Sequence, residues 1–116
     1  MAKRTVVLVR QAGFGRVAPG DEAFGVQMLD NFLHACEAPD ARPAAIAFVT
    51  VGVRMVVRDS PVLLALRILA EHGVDVVACR TCLGHYGLLE AVAVGRPGTM
   101  PEIVRMLQGA DVALTV

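Results

Sequence analysis

Two cysteines three positions apart, Cys79 and Cys82, are the side chains of this 116-residue chain whose type and spacing best suit chemistry. They follow an apolar run over 74–78, which predicts a buried strand, and they precede a segment from Leu83 that predicts a short helix. In an open α/β sheet, sites collect where strands end and helices begin. A thiol at a helix N-terminus with Arg80 beside it titrates at lower pH, so this pair predicts thiolate chemistry.

Other interpretations of the pair stay open. Cysteine is often a buried space-filling residue, so the pair could be purely structural. A redox dithiol uses this spacing, but the surrounding residues do not match a thioredoxin-type sequence. Covalent haem attachment needs His directly after the second Cys, where this chain has Leu83. A zinc site needs four ligands, and only His85 is near because Cys36 lies in another element, so we expect no metal and no cofactor.

The composition narrows the class of protein. Lys plus Arg equals Asp plus Glu at 11 each, so there is no basic surplus to suit nucleic acid. Hydrophobic residues make up 55% of the chain, which argues against disorder, and three cysteines do not form a disulfide framework. The first apolar run, 5–9, is too short for a signal peptide or a membrane span. We therefore expect a single cytoplasmic domain over 1–116, with neither nucleic acid nor membrane as a partner.

Apolar runs and helical periodicities alternate along the chain. Strands are predicted over 5–9, 44–51 and 74–78, over 90–94 as a short fourth strand or turn, and over 111–116. Helices are predicted over 21–36, from a cap at Ser60 through His72 with Gly73 after its end, after Cys82, and from a capping box at 99–102 through Leu107. This alternation predicts a three-layer α/β/α domain with a mainly parallel five-stranded sheet. The ends of parallel strands meet at one edge, where Arg10, Gly52 and Cys79 should lie together.

Two helices carry more apolar surface than polar. In the first, Phe24, Met28 and Phe32 recur every four residues, with Leu29, Leu33 and Cys36 beside them. This pattern predicts a wide core stripe that also buries Cys36 as an inert thiol. The helix over 62–69 is apolar around most of its circumference, which suggests a subunit interface formed by this helix or by the segment over 79–89.

Charged and glycine-rich segments give weaker signals. Arg54 and Arg58 follow the second strand and could attract an anionic sulfur species or an acidic partner, or could simply be solvated. The loop from Gly13 to Gly15 is similar to a phosphate-binding turn, but Ala18 stands where the third glycine of that motif would be. A loop that only covers the sheet edge explains it equally.

The segment 79–88, together with Ala-Val-Gly at 93–95 and Met-Pro-Glu-Ile-Val at 100–104, resembles the DsrE/DsrF-like family. It is most similar to the C-terminal domain of YedF-type proteins, which carry Cys-Gly-Thr-Cys-Leu, Tyr-Gly-Leu, Ala-Val-Gly and Met-x-Glu-Ile-Val. The family's first helix and the end of its second strand are matched as well, by residues 20–22, 25, 32 and 52–53. The resemblance therefore covers nearly the whole chain. Arg80 replaces the usual glycine of the motif, and the N-terminal sulfur-carrier-like domain has no counterpart in this sequence.

The resemblance implies a five-stranded parallel α/β domain that is usually oligomeric and takes part in sulfur transfer. In sulfur-relay members a cysteine after the third strand carries persulfide sulfur. Aligning the strand end with Gly87 and Leu88 places Cys79, rather than Cys82, at the carrier position. Without the sulfur-carrier-like domain, this chain would need a separate sulfur donor.

Two functional hypotheses follow. In the first, the chain is a sulfurtransferase or persulfide carrier, in which Cys79 takes up sulfur from a donor protein and passes it to an acceptor protein. Arg80 and Arg54 would bind the anionic species, and Cys82 would resolve the persulfide. In the second, the chain is a non-catalytic oligomeric binding module with a structural Cys-x-x-Cys pair. Both predict a homo-oligomer, a dimer or a trimer, and an exposed Cys79 would favour the first while a buried one would favour the second.

Overall fold

The computed structural model describes residues 3–116 and contains a five-stranded sheet in which all neighbouring strands are parallel. Met1 and Ala2, which belong to the predicted domain over 1–116, lie outside the described residues. The strands are β1 (Thr5–Val9), β2 (Ala45–Phe48), β3 (Asp75–Cys79), β4 (Arg96–Gly98) and β5 (Val112–Thr115). The α-helices are α1 (Glu22–Ala35), α2 (Leu63–Glu71), α3 (Arg80–His85) and α4 (Met100–Gln108), and 3₁₀ helices cover Thr50–Val56 and Leu89–Ala91.

The strand order β4-β3-β2-β1-β5 explains how the helices divide between the two faces. The first three connections run in one direction across the sheet, and the last returns from β4 to β5 past the other strands. Right-handed crossovers therefore place α1 and α2 together on one face and α4 on the other. Consistent with this, α1 contacts α2, and α4 contacts β3. The predicted three-layer α/β/α fold with a parallel five-stranded sheet is confirmed.

The core lies around the three central strands. All four residues of β2 are buried, and so are three of the five residues of β1, because helices cover both faces of a central parallel sheet. The largest side chain in this core is Phe48, with 0% of its surface exposed. Within residues 3–116, no helix is long and apolar enough to cross a membrane.

The predicted core stripe of α1 is partly wrong. Phe24 and Met28 are 58% and 37% exposed, whereas Leu29 and Leu33 are fully buried against the sheet. Leu29 and Leu33 each come one position after Met28 and Phe32, so the buried row lies about 100° around the helix from the row that contains Phe24. Phe32 is half-buried and its ring packs against Phe14 at a centroid distance of 5.2 Å. Aromatic size alone did not identify the face that meets the sheet.

Two predicted strand boundaries also need correction. The second strand ends at Phe48 rather than at residue 51, because Thr50 adopts a left-handed backbone conformation and begins a 3₁₀ helix. The predicted fourth strand over 90–94 is absent from the sheet, and the strand that pairs with β3 is Arg96–Gly98 instead. This three-residue segment contains proline and glycine and has no apolar run, so its composition does not predict a strand.

Helix ends follow the predicted chemistry where side chains determine them. Thr99 caps α4, since its Oγ1 accepts a hydrogen bond from the Glu102 backbone N–H at 3.3 Å. Gly73 follows α2 with a φ of +90°, the left-handed C′ position that favours glycine. Ser60 instead closes a turn before α2, where its Oγ accepts from the Val62 N–H, and the α-helix itself begins at Leu63.

Candidate functional site

The carboxyl ends of β1, β2 and β3 meet at one edge of the sheet, as predicted for Arg10, Gly52 and Cys79. Thr50 joins two of these ends, because its hydroxyl lies 3.0 Å from the Arg10 carbonyl oxygen. Gly52 packs directly on the end of β1, where a β-carbon would lie only 2.5 Å from the Val9 carbonyl oxygen. The backbone of the 3₁₀ helix Thr50–Val56 is therefore packed directly against the end of β1.

The two cysteines of the pair have different environments. Cys79 is the last residue of β3 and is 1% exposed, within the hydrophobic core. Cys82 lies in the first turn of α3 and is half-buried, and both sulfurs are free thiols. The helix begins at Arg80 rather than at Leu83, so the first cysteine still belongs to the strand while the second is carried out onto the helix. Cys79 is therefore buried, the arrangement that favours a structural thiol pair, and Cys82 is the accessible thiol.

The surroundings of Cys82 shift its titration. Burial raises the pKa of the Cys82 thiol above its ordinary value, and a hydrogen bond with the Cys79 thiol raises it further. The Thr50 backbone N–H donates to Cys82 Sγ at 3.1 Å, and this contact lowers the pKa, which only partly offsets the other two effects.

A cavity of about 350 Å³ opens beside the accessible thiol. Its volume falls within the roughly 300–1,000 Å³ range of small-molecule pockets. We call it the thiol pocket; its lining residues are Thr50, Thr81, Cys82, His85 and Tyr86. The rings of His85 and Tyr86 meet edge to face at a centroid distance of 4.9 Å, so each restrains the other in the wall.

The two arginines predicted to bind substrate lie at different positions. The Arg54 guanidinium stacks over the Tyr86 ring at 4.7 Å from its centroid, which places a positive charge against the wall of the thiol pocket. Arg80 is the first residue of α3 and is exposed, and no ion pair within residues 3–116 involves it. The structure thus relates Arg54 to the pocket by a contact, and Arg80 only by its position in the chain.

The remaining predicted features lie away from the pocket. Cys36 is 8% exposed at the end of α1, and burial raises the pKa of its thiol. Gly13 packs against α1, where a β-carbon would lie 3.0 Å from the Gly25 carbonyl carbon, so close packing accounts for this glycine. Within residues 3–116, no three His, Cys, Asp or Glu side chains are grouped as metal ligands.

Sequence reasoning assigned no role to three of the residues that form the site. Nothing in the local sequence signals that Thr50 has a φ of +50°, since β-branched residues rarely adopt it. His85 and Tyr86 appear in the segment that resembles the DsrE/DsrF-like family, but their place in a wall depends on where α3 begins. The pairing of Tyr86 with Arg54 joins residues far apart in the chain.

Comparisons with solved structures identify the architecture. The YchN protein of E. coli superposes with a TM-score of 0.74 at 18% identity, over 98% of this chain and 99% of that one. The chain has a DsrE/YchN-like fold. A protein of unknown function from Methanobacterium thermoautotrophicum superposes with a TM-score of 0.68 at 20% identity, over 98% of this chain and 99% of that one. Another protein of unknown function, from Bacteroides thetaiotaomicron, superposes with a TM-score of 0.65 at 14% identity, over 97% of this chain and 94% of that one.

No family model and no curated protein matches this chain. At the identities above, the likeness to solved structures concerns the fold. The chemistry of the site therefore has to be argued from the residues of the thiol pocket.

Proposed function

We propose that this protein is a persulfide carrier of a sulfur-relay system, with Cys82 as the thiol that receives sulfur. The observation that carries the proposal is the position of Cys82, whose partly exposed sulfur lines the thiol pocket at the carboxyl edge of the sheet. The resemblance of 79–88 to the DsrE/DsrF-like family suggests sulfur transfer, and the DsrE/YchN-like fold is consistent with it. The family alignment favours Cys79 as carrier, but a thiol that is 1% exposed cannot meet a donor without local opening.

The proposed uptake step is a thiol exchange with a persulfide donor. The Cys82 thiolate attacks the outer sulfur of the donor persulfide, R–S–SH. A bond forms between Cys82 Sγ and that sulfur, and the donor S–S bond breaks. The donor leaves as the thiolate R–S⁻, and Cys82 becomes Cys82–S–SH. No net oxidation occurs, so no cofactor is needed.

The buried thiol provides a second outcome for the loaded sulfur. A Cys79 thiolate can attack Cys82 Sγ, which forms the Cys79–Cys82 disulfide and expels hydrosulfide. A dithiol reductant would then restore both thiols. In this scheme Cys79 resolves and Cys82 carries, which reverses the roles expected from the sequence. Arg54, held against Tyr86, would favour an anionic sulfur species in the thiol pocket.

Loading with a low-molecular-weight persulfide tests this assignment. We expect reduced protein treated with glutathione persulfide to gain the mass of one sulfur on the peptide that contains Cys82. Cys82→Ser should abolish the gain, whereas Cys79→Ser should preserve it and make it longer-lived, because no disulfide can form. Cys36→Ser is the matched control and should load like the parent protein. Peptide mass mapping that places the sulfur on Cys79 would return the carrier role to that residue.

The burial of Cys79 favours a second candidate, a non-catalytic oligomeric binding module with a structural thiol pair. In that case Cys82 would be a wall residue of a ligand pocket rather than a nucleophile. Absence of any sulfur gain in the parent protein, with the thiol pocket intact, would support this alternative over the carrier.

We further propose a cytoplasmic homo-oligomer that exchanges sulfur with donor and acceptor proteins. In helix α2 three apolar residues are buried in their own chain, and Leu64 is strongly exposed, at 66%, so Leu64 is the residue of α2 that we propose for the interface. Other large apolar side chains remain exposed: Phe14, Phe24, Met28, Met100, Val104 and Leu114. We expect light scattering at micromolar concentration to give the mass of a dimer or trimer, and a monomer mass would contradict this.

A further inference from the structure

Thr50 holds its backbone in a conformation that its side chain disfavours. Its φ is +50°, and within residues 3–116 only Asp59 shares a positive φ without being glycine. A β-branched residue is strained there, so the surrounding contacts must hold it in place. Backbone strain of this kind points to a function when the contacts that hold the residue also orient a reactive group, and Thr50 contacts the Cys82 thiol.

The contacts of Thr50 connect the ends of three strands. Its hydroxyl lies 2.7 Å from the Val49 carbonyl oxygen and 3.0 Å from the Arg10 carbonyl oxygen, so the hydroxyl hydrogen is shared between two backbone acceptors. Its N–H turns the other way and donates to Cys82 Sγ at 3.1 Å. The left-handed conformation is what allows the hydroxyl to bind β1 and β2 while the N–H faces the thiol that follows β3.

The direction of this N–H matters most when Cys82 carries negative charge. A backbone N–H bonded to a thiolate is a charge-assisted hydrogen bond, which is roughly twice as strong as a neutral one. The donor is already in place and needs no rearrangement when the charge develops. The Cys79 thiol and the surrounding burial act in the opposite direction, so the Thr50 N–H, together with the backbone N–H of Cys82 itself, favours the anion.

We propose that Thr50 is a positioning residue for sulfur release, because its N–H stabilises Cys82 Sγ as the leaving thiolate; this inference rests on the proposed carrier function. An acceptor thiolate attacks the outer sulfur of Cys82–S–SH, and a new S–S bond forms on the acceptor. The bond between Cys82 Sγ and the outer sulfur breaks, and its electron pair stays on Sγ. The acceptor becomes a persulfide and Cys82 returns to the thiolate, bonded to the Thr50 N–H. A better stabilised leaving thiolate departs faster.

The hydrogen bond can be tested without any variant of Thr50. In ¹⁵N-labelled reduced protein, we expect the amide proton of Thr50 to shift with the titration of Cys82 as pH rises. This shift should vanish in Cys82→Ser and persist in Cys36→Ser. An amide signal that does not follow the Cys82 titration would overturn the inference, whether or not the protein accepts sulfur.

Two substitutions separate the hydroxyl from the shape of the side chain. Thr50→Val is nearly isosteric but cannot bind the Arg10 and Val49 carbonyls, so the N–H loses its fixed direction. Thr50→Ser keeps the hydroxyl. We expect Thr50→Val to raise the pH midpoint for Cys82 alkylation and to slow sulfur transfer from loaded protein to a small thiol by about tenfold, while Thr50→Ser stays near the parent rate.

The outcomes distinguish this inference from the proposed function. If loaded Thr50→Val transfers sulfur at the parent rate with an unchanged Cys82 titration, the positioning role is wrong and the carrier function stands. If Cys82 never loads in the parent protein, the carrier function fails, and the role in sulfur release fails with it even where the amide titration shows the hydrogen bond. Equal slowing in Thr50→Val and Thr50→Ser would also contradict the role of the hydroxyl.

Discussion

In the native, reduced protein we expect iodoacetamide to alkylate Cys82 at least about ten times faster than either Cys79 or Cys36. Cys79 and Cys36 are 1% and 8% exposed, so the reagent reaches them only through local opening of the core. Cys82 is half-buried and lines the open thiol pocket. Differential mass labelling followed by peptide mapping measures the three rates, and labelling in concentrated urea, where all three thiols should react alike, provides the control.

The pH dependence of this reaction has a defined sign. Because burial and the Cys79 hydrogen bond raise the pKa of Cys82, less of it is thiolate at neutral pH than for an ordinary thiol. Its alkylation rate should therefore continue to rise above about pH 8.5, the usual thiol value. Cys79→Ala removes the hydrogen-bonding and the charge effects of Cys79, both of which raise the pKa of Cys82. The pH midpoint of Cys82 alkylation should therefore be lower in this variant. A Cys79 that reacts as fast as Cys82 would contradict the assignment of the accessible thiol.

The parallel sheet could be predicted because its central strands carry an unambiguous signal. The run at 5–9 is rich in β-branched apolar residues and the run at 74–78 is apolar except for Asp75, and each matches an observed strand within one residue. Parallel pairing then requires their carboxyl ends to share an edge, so the apolar runs were enough to predict the edge at which Cys79 lies. β4 gave no such signal, because its three residues pair with β3 through backbone groups and contain no apolar run.

The internal geometry of the site was less predictable. Whether Cys79 or Cys82 meets solvent depends on where the strand ends and α3 begins, and a shift of three residues exchanges their exposure. A helix that begins at Leu83, as predicted, would leave both cysteines at the strand end, whereas α3 begins at Arg80. The helix has only six residues, so its dipole gives little to a thiolate. The Thr50 N–H adds to the backbone N–H of Cys82 itself as a donor to this sulfur, and it does so from a left-handed conformation that no motif predicts.

Gly52→Ala should be among the most destabilising single substitutions at this edge. The new β-carbon would lie 2.5 Å from the Val9 carbonyl oxygen and 3.3 Å from the Arg10 carbonyl carbon, and both are backbone atoms that cannot turn aside. Relief requires the 3₁₀ helix to move away from β1, which would also displace Thr50 from the Arg10 carbonyl. We expect a loss of about 3 kcal/mol or more in the free energy of unfolding, as for other steric strain in a packed core.

Gly84→Ala is the matched control for that change, since it adds the same methyl group close to the same site. Gly84 lies inside α3, and a β-carbon there would meet no atom within 4 Å. Alanine favours a helix over glycine by up to about 1 kcal/mol, so this variant should be as stable as the parent protein or slightly more stable. Urea unfolding at equilibrium compares the two. Equal stability of Gly52→Ala and Gly84→Ala would mean that the end of β1 does not hold Gly52 at close range, and the junction that directs Thr50 toward Cys82 would lose its support.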